Sequence, residues 1–209
     1  MEAPTGTHEH AALRRADLDP DPIVQVRRWL ADADVAGVPL ANAIALATAD
    51  EDGAPSVRHV LLRGVTDEGF TFFTNRASPK RRDLAANPRA AFTLLWRELD
   101  RQITVRGDVV ELSDRDSDAY FSSRPREAQV GAWASRQSEP LRDRAELEER
   151  LAAATARFEG ADVPRPPFWG GYLLRPTAAE CWQGRRFRLH DRFRYTREGA
   201  SWRIERLSP

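Results

Sequence analysis

Cysteine is almost missing from this chain, with Cys181 the only one among 209 residues. A lone cysteine excludes an internal disulfide and a cysteine-based zinc site. Lysine is as scarce: of 32 basic residues, only Lys80 is lysine and the rest are arginine. The histidines, His8, His10, His59 and His190, show no metal-ligand spacing. The 32 basic residues are balanced by 32 acidic ones, so no global field points to nucleic acid or an anionic membrane. No stacking-platform motif for nucleic acid is present either. Apolar runs stay short of membrane-spanning length, and the start lacks the basic-then-apolar pattern of a signal peptide. The expectation is a soluble, cytoplasmic protein without a structural metal. Ser-His-Asp order, paired carboxylates, a phosphate-binding glycine loop and a dinucleotide fingerprint are also absent.

What is present reads as mainly β structure with flanking helices. Residues 1–19 are polar and aperiodic, which predicts a mobile arm with His8 and His10 exposed. Residues 20–209 contain no linker composition and read as one domain. Asp21-Pro22 is a helix start, and Ile23, Val26, Trp29, Leu30 and Ala33 form one apolar stripe before Gly37-Val38-Pro39. Strand candidates follow at 43–49, 56–65, 70–75, 90–96 and 102–112, with Thr66-Asp67-Glu68-Gly69 as a hairpin connection. Helices are predicted from Ser78-Pro79-Lys80 to Asn87, over 113–123 and over 141–158, the last with Leu147, Leu151 and Ala154 on one face. Strands at 171–182, 187–196 and 202–207 close the chain. Strands so close together favour an antiparallel barrel or sandwich over a βαβ sheet.

Donors for an anionic or planar ligand are scattered along this framework. Read as a strand, 187–196 projects Arg188, His190, Arg192 and Arg194 from one face and Phe187, Leu189, Phe193 and Tyr195 from the other. Such a row can hold a ligand; it can equally be the solvated face of an edge strand. Lys80 sits at the second position of a helix, where unpaired N–H groups and partial positive charge favour phosphate, although an ordinary capped helix start reads the same way. Arg58 and Arg63 lie in an otherwise apolar strand and need partners. Gln102 is a milder case. Tyr120, Arg124-Pro125-Arg126 and Gln137-Ser138 add further donors. Many donors without hydrolytic machinery suit a bound cofactor that carries the chemistry, the protein supplying orientation and electrostatics.

Several stretches together identify a family. Arg58–Arg63 (RHVLLR), Phe72–Asn75 (FFTN), Arg101–Val105 (RQITV), Tyr120–Ser138 (YFSSRPREAQVGAWASRQS), Phe168–Tyr172 (FWGGY), Trp182–Arg192 (WQGRRFRLHDR) and Arg206–Pro209 resemble the pyridoxamine 5′-phosphate oxidase family from about Asp21 to the end. The resemblance implies an FMN-binding split β-barrel, a Greek-key antiparallel barrel, in a homodimer with FMN in clefts between subunits. It places Arg58, Arg63, Thr74, Lys80, Gln102, Gln137, Ser138, Trp182 and Arg192 at flavin-binding positions. Tyr120 and Arg124 fall where the substrate phosphate is held, and Arg188 and His190 where the substrate ring and its reacting substituent are held. The family reaction moves a hydride from C4′ of pyridoxine or pyridoxamine 5′-phosphate to the flavin, and O2 reoxidises it.

The chain departs from the family pattern at Leu40 (usually acidic), Arg63 (usually lysine), Pro79 (often arginine) and Ala128 (often serine), and its arm lacks an Arg-x-x-Tyr segment. The short arm, Trp29–Ala36 and Trp96-Arg97-Glu98 resemble the phenazine-biosynthesis branch, which implies the alternative of a non-phosphorylated dihydroaromatic substrate. That branch tends to lose the Tyr120 and Arg124-Pro125 phosphate motif that this chain keeps.

Overall fold

The computed structural model describes residues 12–209. Nine strands and five α-helices are observed there, in the order α1 (Pro22–Val35), β1 (Ala43–Ala49), β2 (Pro55–Leu61), β3 (Gly64–Val65), β4 (Phe70–Asn75), α2 (Pro79–Ala86), β5 (Arg89–Trp96), β6 (Arg101–Glu111), α3 (Asp114–Ser122), α4 (Arg126–Ala134), α5 (Arg144–Arg157), β7 (Trp169–Gln183), β8 (Asp191–Glu198) and β9 (Ser201–Leu207). The strands form one sheet in the order β2-β1-β5-β6-β7-β4-β3, with β8 on β7 and β9 on β8. Every pairing is antiparallel. The two ends of that path, β2 and β3, are joined by only Leu62 and Arg63, so the sheet must curl until its edges approach. The expected split barrel is the result.

Alternation along the strands fills the barrel. Ile44 and Leu46 of β1, Phe92 and Leu94 of β5, Ile103 and Val105 of β6, and Phe70 and Phe72 of β4 all point inward and are buried. Helix α1 lays its stripe over this core, with Trp29 edge-on to Trp96 at 6.4 Å between ring centroids. Asp21 caps it by accepting from the Ile23 amide at 2.7 Å. Helices α3, α4 and α5 build a second apolar cluster around Phe121, Val130, Ala134, Ala154, Phe158 and Trp169.

Strand β7 is shared. Its first half pairs with β4 (Trp169 opposite Asn75, Leu174 opposite Phe70), and its second half pairs with β8 (Ala178 opposite Thr196, Gln183 opposite Asp191). It pairs with β6 through both halves, with a register shift at Arg106/Gly107. A β-carbon on Gly107 would lie 1.9 Å from the Arg175 carbonyl oxygen, so the close approach at this bulge requires glycine.

Four differences from the sequence reading concern the scaffold. The predicted strand 56–65 breaks after Leu61, because β2 pairs with β1 and β3 with β4 on opposite ends of the sheet. Helix α4 was not anticipated: Pro125 at its N-cap position offers no capping side-chain hydrogen bond. Of the expected α5 stripe, Ala154 is buried whereas Leu151 is exposed. Where a mobile arm through residue 19 is predicted, Leu13 and Leu18 are buried in the main core; His8 and His10 lie outside the described residues. No helix among the described residues is long and apolar enough to cross a membrane.

Candidate active site

A cleft of ≈ 890 Å³ opens beside β2, β4, α2, α3 and α4. Eight of the residues singled out from sequence line it: Arg58, Arg63, Thr74, Lys80, Tyr120, Arg124, Gln137 and Ser138. They come from more than 80 positions of chain, counting from 58 to 138, so the fold has done the gathering.

Lys80 lies at the floor, 7% exposed. Its Nζ donates to Thr74 Oγ1 at 2.9 Å, Ser78 Oγ at 3.1 Å and Gln137 Oε1 at 2.7 Å. All three acceptors are neutral, and no carboxylate reaches ion-pairing distance of Nζ among the described residues. Ser78, which sequence alone allowed as a plain helix cap, makes no side-chain cap bond and serves Lys80 instead. Burial, and secondarily the Arg58 charge, push the ammonium pKa down from 10.5 to about 8, with Asp83 opposing. A buried cation held only by neutral oxygens is a site prepared for an anion.

Arg58 finds the partner its strand demanded. Its Nη1 donates to Thr48 Oγ1 at 2.6 Å, its Nη2 stands 3.6 Å from Asp83 Oδ2, and Thr48 Oγ1 donates to the same carboxylate oxygen at 2.6 Å. Thr48 and Asp83 are support residues that sequence reasoning missed. Asp83, one helical turn after Lys80 on α2, was the available signal.

The opposite wall is aromatic. Tyr120 stacks on Phe73 at 4.0 Å, and Phe73 on Trp169 at 5.1 Å. Arg124 lies 5.0 Å over the Trp169 ring and 5.4 Å from that of Phe121. Its Nη1 is buried without a hydrogen-bond partner, and burial pulls its pKa below the ordinary arginine value, Tyr120 opposing. Gln129 Nε2 fixes the preceding turn by donating to the carbonyls of Phe121, Ser122 and Arg124 at 3.2, 3.1 and 3.0 Å. An orphaned guanidinium N–H on an aromatic shelf calls for an anionic acceptor. Arg63 is exposed at the mouth. Phe73, His59 and Trp169 also line the cleft and had not been singled out.

The other five predicted residues do not line this cleft. Gln102, Trp182 and Arg192 form one cross-strand row over β6, β7 and β8, since Gln102 is opposite Trp182 and Trp182 opposite Arg192. Arg192 Nε donates to Glu180 Oε1 at 2.8 Å, which raises its pKa, and Nη1 donates to the Ser208 carbonyl at 3.1 Å. The alternation expected for Arg188 and His190 is corrected by the structure. Strand β8 begins only at Asp191; Arg186–Arg188 form a 3-10 turn, with Phe187 at φ 59° and Arg188 at φ 61°. Phe193 and Tyr195 are buried as predicted, but Phe187 and Leu189 are 89% and 68% exposed. The turn holds His190 in a defined state. The Arg185 amide donates to His190 Nδ1 at 3.1 Å, which makes Nδ1 the acceptor and leaves Nε2 to carry the ring proton. The imidazole rests against Trp182 at 4.6 Å between centroids.

No cluster of metal-ligating side chains is found among the described residues. The donors suit a phosphorylated planar ligand: Lys80 and Arg124 lack anionic partners, and the rings of Phe73, Tyr120 and Trp169 line the same cleft.

Comparison with known proteins shows the family. The family model described as pyridoxamine 5′-phosphate oxidase matches residues 30–158, and that described as the pyridoxine 5′-phosphate oxidase C-terminal dimerisation region matches residues 169–209. The pyridoxine/pyridoxamine 5′-phosphate oxidase of Rubrobacter xylanophilus is 54% identical over 97% of this chain and 93% of its own length. That of Cupriavidus taiwanensis is 52% identical over 97% of this chain and 96% of its own. Among solved structures, PhzG from Burkholderia lata 383, in complex with tetrahydrophenazine-1-carboxylic acid, superposes with a TM-score of 0.89 at 38% identity, covering 95% of this chain and 98% of that one.

Proposed function

The chain belongs to the pyridoxamine 5′-phosphate oxidase family, and from that premise we propose that it oxidises pyridoxine or pyridoxamine 5′-phosphate to pyridoxal 5′-phosphate, with FMN as its cofactor and O2 as terminal acceptor. The observation that carries the choice of substrate is Arg124, whose buried Nη1 has no partner while Tyr120 lines the same cleft. A phosphate monoester supplies the missing acceptor. The close relatives named as pyridoxine/pyridoxamine 5′-phosphate oxidases support the same reading.

Bound flavin would supply a two-electron acceptor for the C4′ carbon and pass both electrons to O2 as hydrogen peroxide. The chain's residues then have separable tasks. Lys80, with Thr74 and Gln137, neutralises the cofactor phosphate; Arg58, Arg63 and Ser138 complete that end. Tyr120 and Arg124 bind the substrate phosphate. Arg188 orients the substrate ring, and His190 presents its Nε2 proton to the reacting substituent. Neither is a nucleophile; both act by fixing the bond to be broken.

Gln102, Trp182 and Arg192 lie apart from the cleft of their own subunit. In a homodimer, Trp182 of the partner subunit and Arg192 of the partner subunit would complete the flavin site. The dimerisation region matched at residues 169–209 carries both, which supports this arrangement.

The second reading is a dihydroaromatic substrate without phosphate, favoured by the likeness to PhzG. Flavin-loaded protein should form peroxide and pyridoxal 5′-phosphate from either vitamin substrate. Absence of turnover with flavin bound would remove the first reading.

A further inference from the structure

Both ends of the described chain meet at the base of the turn that carries Arg188 and His190. Asp191, the next residue, is 9% exposed. Its Oδ2 accepts from the Leu13 amide at 3.0 Å, and its Oδ1 accepts from Arg206 Nη1 at 2.5 Å. Arg206 Nη2 in turn donates to the Leu13 carbonyl at 2.9 Å. One acid–base pair, an aspartate from β8 and an arginine from β9, thus grips both polar groups of a single residue, 178 positions from the aspartate and 193 from the arginine. The Arg206 guanidinium also lies 4.4 Å over the Phe193 ring, and Leu13 buries its side chain in the main core. Arg185, at the other end of the turn, brings its Nε to 3.8 Å from Asp191 Oδ2.

At the base of the turn the Gly184 amide donates to the Asp100 carbonyl at 2.7 Å, and His190 rests against Trp182. Phe187 and Arg188 occupy the left-handed region, which non-glycine residues adopt only when the surroundings impose it. The exposed Phe187 and Leu189 side chains give it no packing within this subunit. Within it, the Leu189 amide donates to the Arg186 carbonyl at 3.2 Å and the Arg185 amide to His190 Nδ1 at 3.1 Å.

We infer that Asp191 is a positioning residue for the reaction: through Arg206 and the Leu13 peptide, it ties both chain ends to the hairpin and so fixes the angle at which Arg188 and His190 are presented. The inference rests on those two residues serving the substrate. Asp191 touches neither substrate nor cofactor and acts only through the turn.

The test compares Asp191→Asn and Arg206→Gln with Glu205→Gln. Glu205 bridges Arg194 and Arg203 on the same β8–β9 ribbon but does not touch the turn. In the flavin-loaded dimer, Asp191→Asn is expected to lower kcat about 10- to 100-fold, as a small misplacement of orienting groups does, while KM stays within about threefold because Tyr120 and Arg124 are untouched. Amide exchange over 184–190 should accelerate in the same variant. Arg206→Gln should repeat the pattern and decides the matter if Asp191→Asn does not fold. Glu205→Gln should alter neither quantity. Exchange over 184–190 left at the wild-type rate, or a kcat loss no greater than that of Glu205→Gln, overturns the inference. If the wild type turns over neither vitamin substrate, the proposed function fails, and the exchange measurement still decides whether the clamp holds the turn.

Discussion

The cleft and the hairpin at 184–190 solve the problem of presenting charge in opposite ways. In the cleft, Lys80 and Arg58 are fixed by hydrogen bonds to side chains of β1 and β4 and to Ser78 and Gln137, with Asp83 of α2 pairing with Arg58, and Arg124 by an aromatic shelf. These three charges are half or fully buried before any ligand arrives, so their reorganisation on binding is small. In the hairpin, Arg188 and His190 stand on an exposed turn whose left-handed residues are held from outside, by Asp191 and the chain ends. On the proposed function, binding is built into rigid elements, and orientation of the reacting group is delegated to a segment whose geometry depends on distant parts of the chain. The two regions should therefore fail differently.

The largest effect is expected in the hairpin. Arg188→Ala should reduce kcat/KM about 1000-fold, an effect on the scale of losing a transition-state orienting group, with flavin content by absorbance unchanged. Release of flavin instead would erase the division between the regions. Arg124→Ala comes next. Removing a charged hydrogen-bonding partner costs about 1.5–3 kcal/mol, or roughly 10- to 150-fold, and should appear in KM for the phosphorylated substrate with kcat nearly kept. Activity on a dihydrophenazine, if present, should survive the change, which makes this variant the discriminator between the two substrate readings. Lys80→Met should weaken FMN affinity about tenfold or more in a flavin titration, while binding of riboflavin, which has no phosphate, stays level.

The smallest effect is a pH dependence that sharpens the contrast. The Lys80 pKa lies near 8 in the folded chain against an ordinary 10.5. Between these values the unfolded chain holds the extra proton, so stability of the flavin-free protein should rise as pH climbs from 8 to 10.5. FMN affinity should fall over the same interval as the ammonium is lost. Opposite slopes in thermal melts and flavin titrations identify Lys80 as the source; parallel slopes assign the dependence elsewhere.

Much of this was legible in the sequence, for identifiable reasons. Apolar runs between turn signals located β1, β4, β5 and β6 to within a residue at each end, and the Ser-Pro-Lys helix start marked the Lys80 site. Arginine within an apolar strand foretold the Arg58 ion pair. The hairpin was misread because nothing between Gly184 and His190 signals positive φ: Phe187 and Arg188 adopt it without a glycine. The docked stretch at Leu13 and Leu18 was hidden by its polar neighbours, since two apolar residues five apart match neither helix nor strand periodicity. Helix α4 lacks a capping side chain and includes Gly131, and both features weaken a helix reading.

Strand β7 couples the two regions more tightly than either resembles the other. Its first residue, Trp169, is the shelf for Arg124, and its second-to-last, Trp182, backs His190. A single inserted residue between Gly171 and Pro176 would turn over every later side chain, sending Cys181 outward and Trp182 into the core. In the homodimer proposed above, with one half of the strand serving its own subunit and the other half the neighbour, such a slip would disable both sites at once. The strand is thus an indivisible inheritance: length variation can accumulate in the exposed turn between β1 and β2, but this strand must be passed on whole.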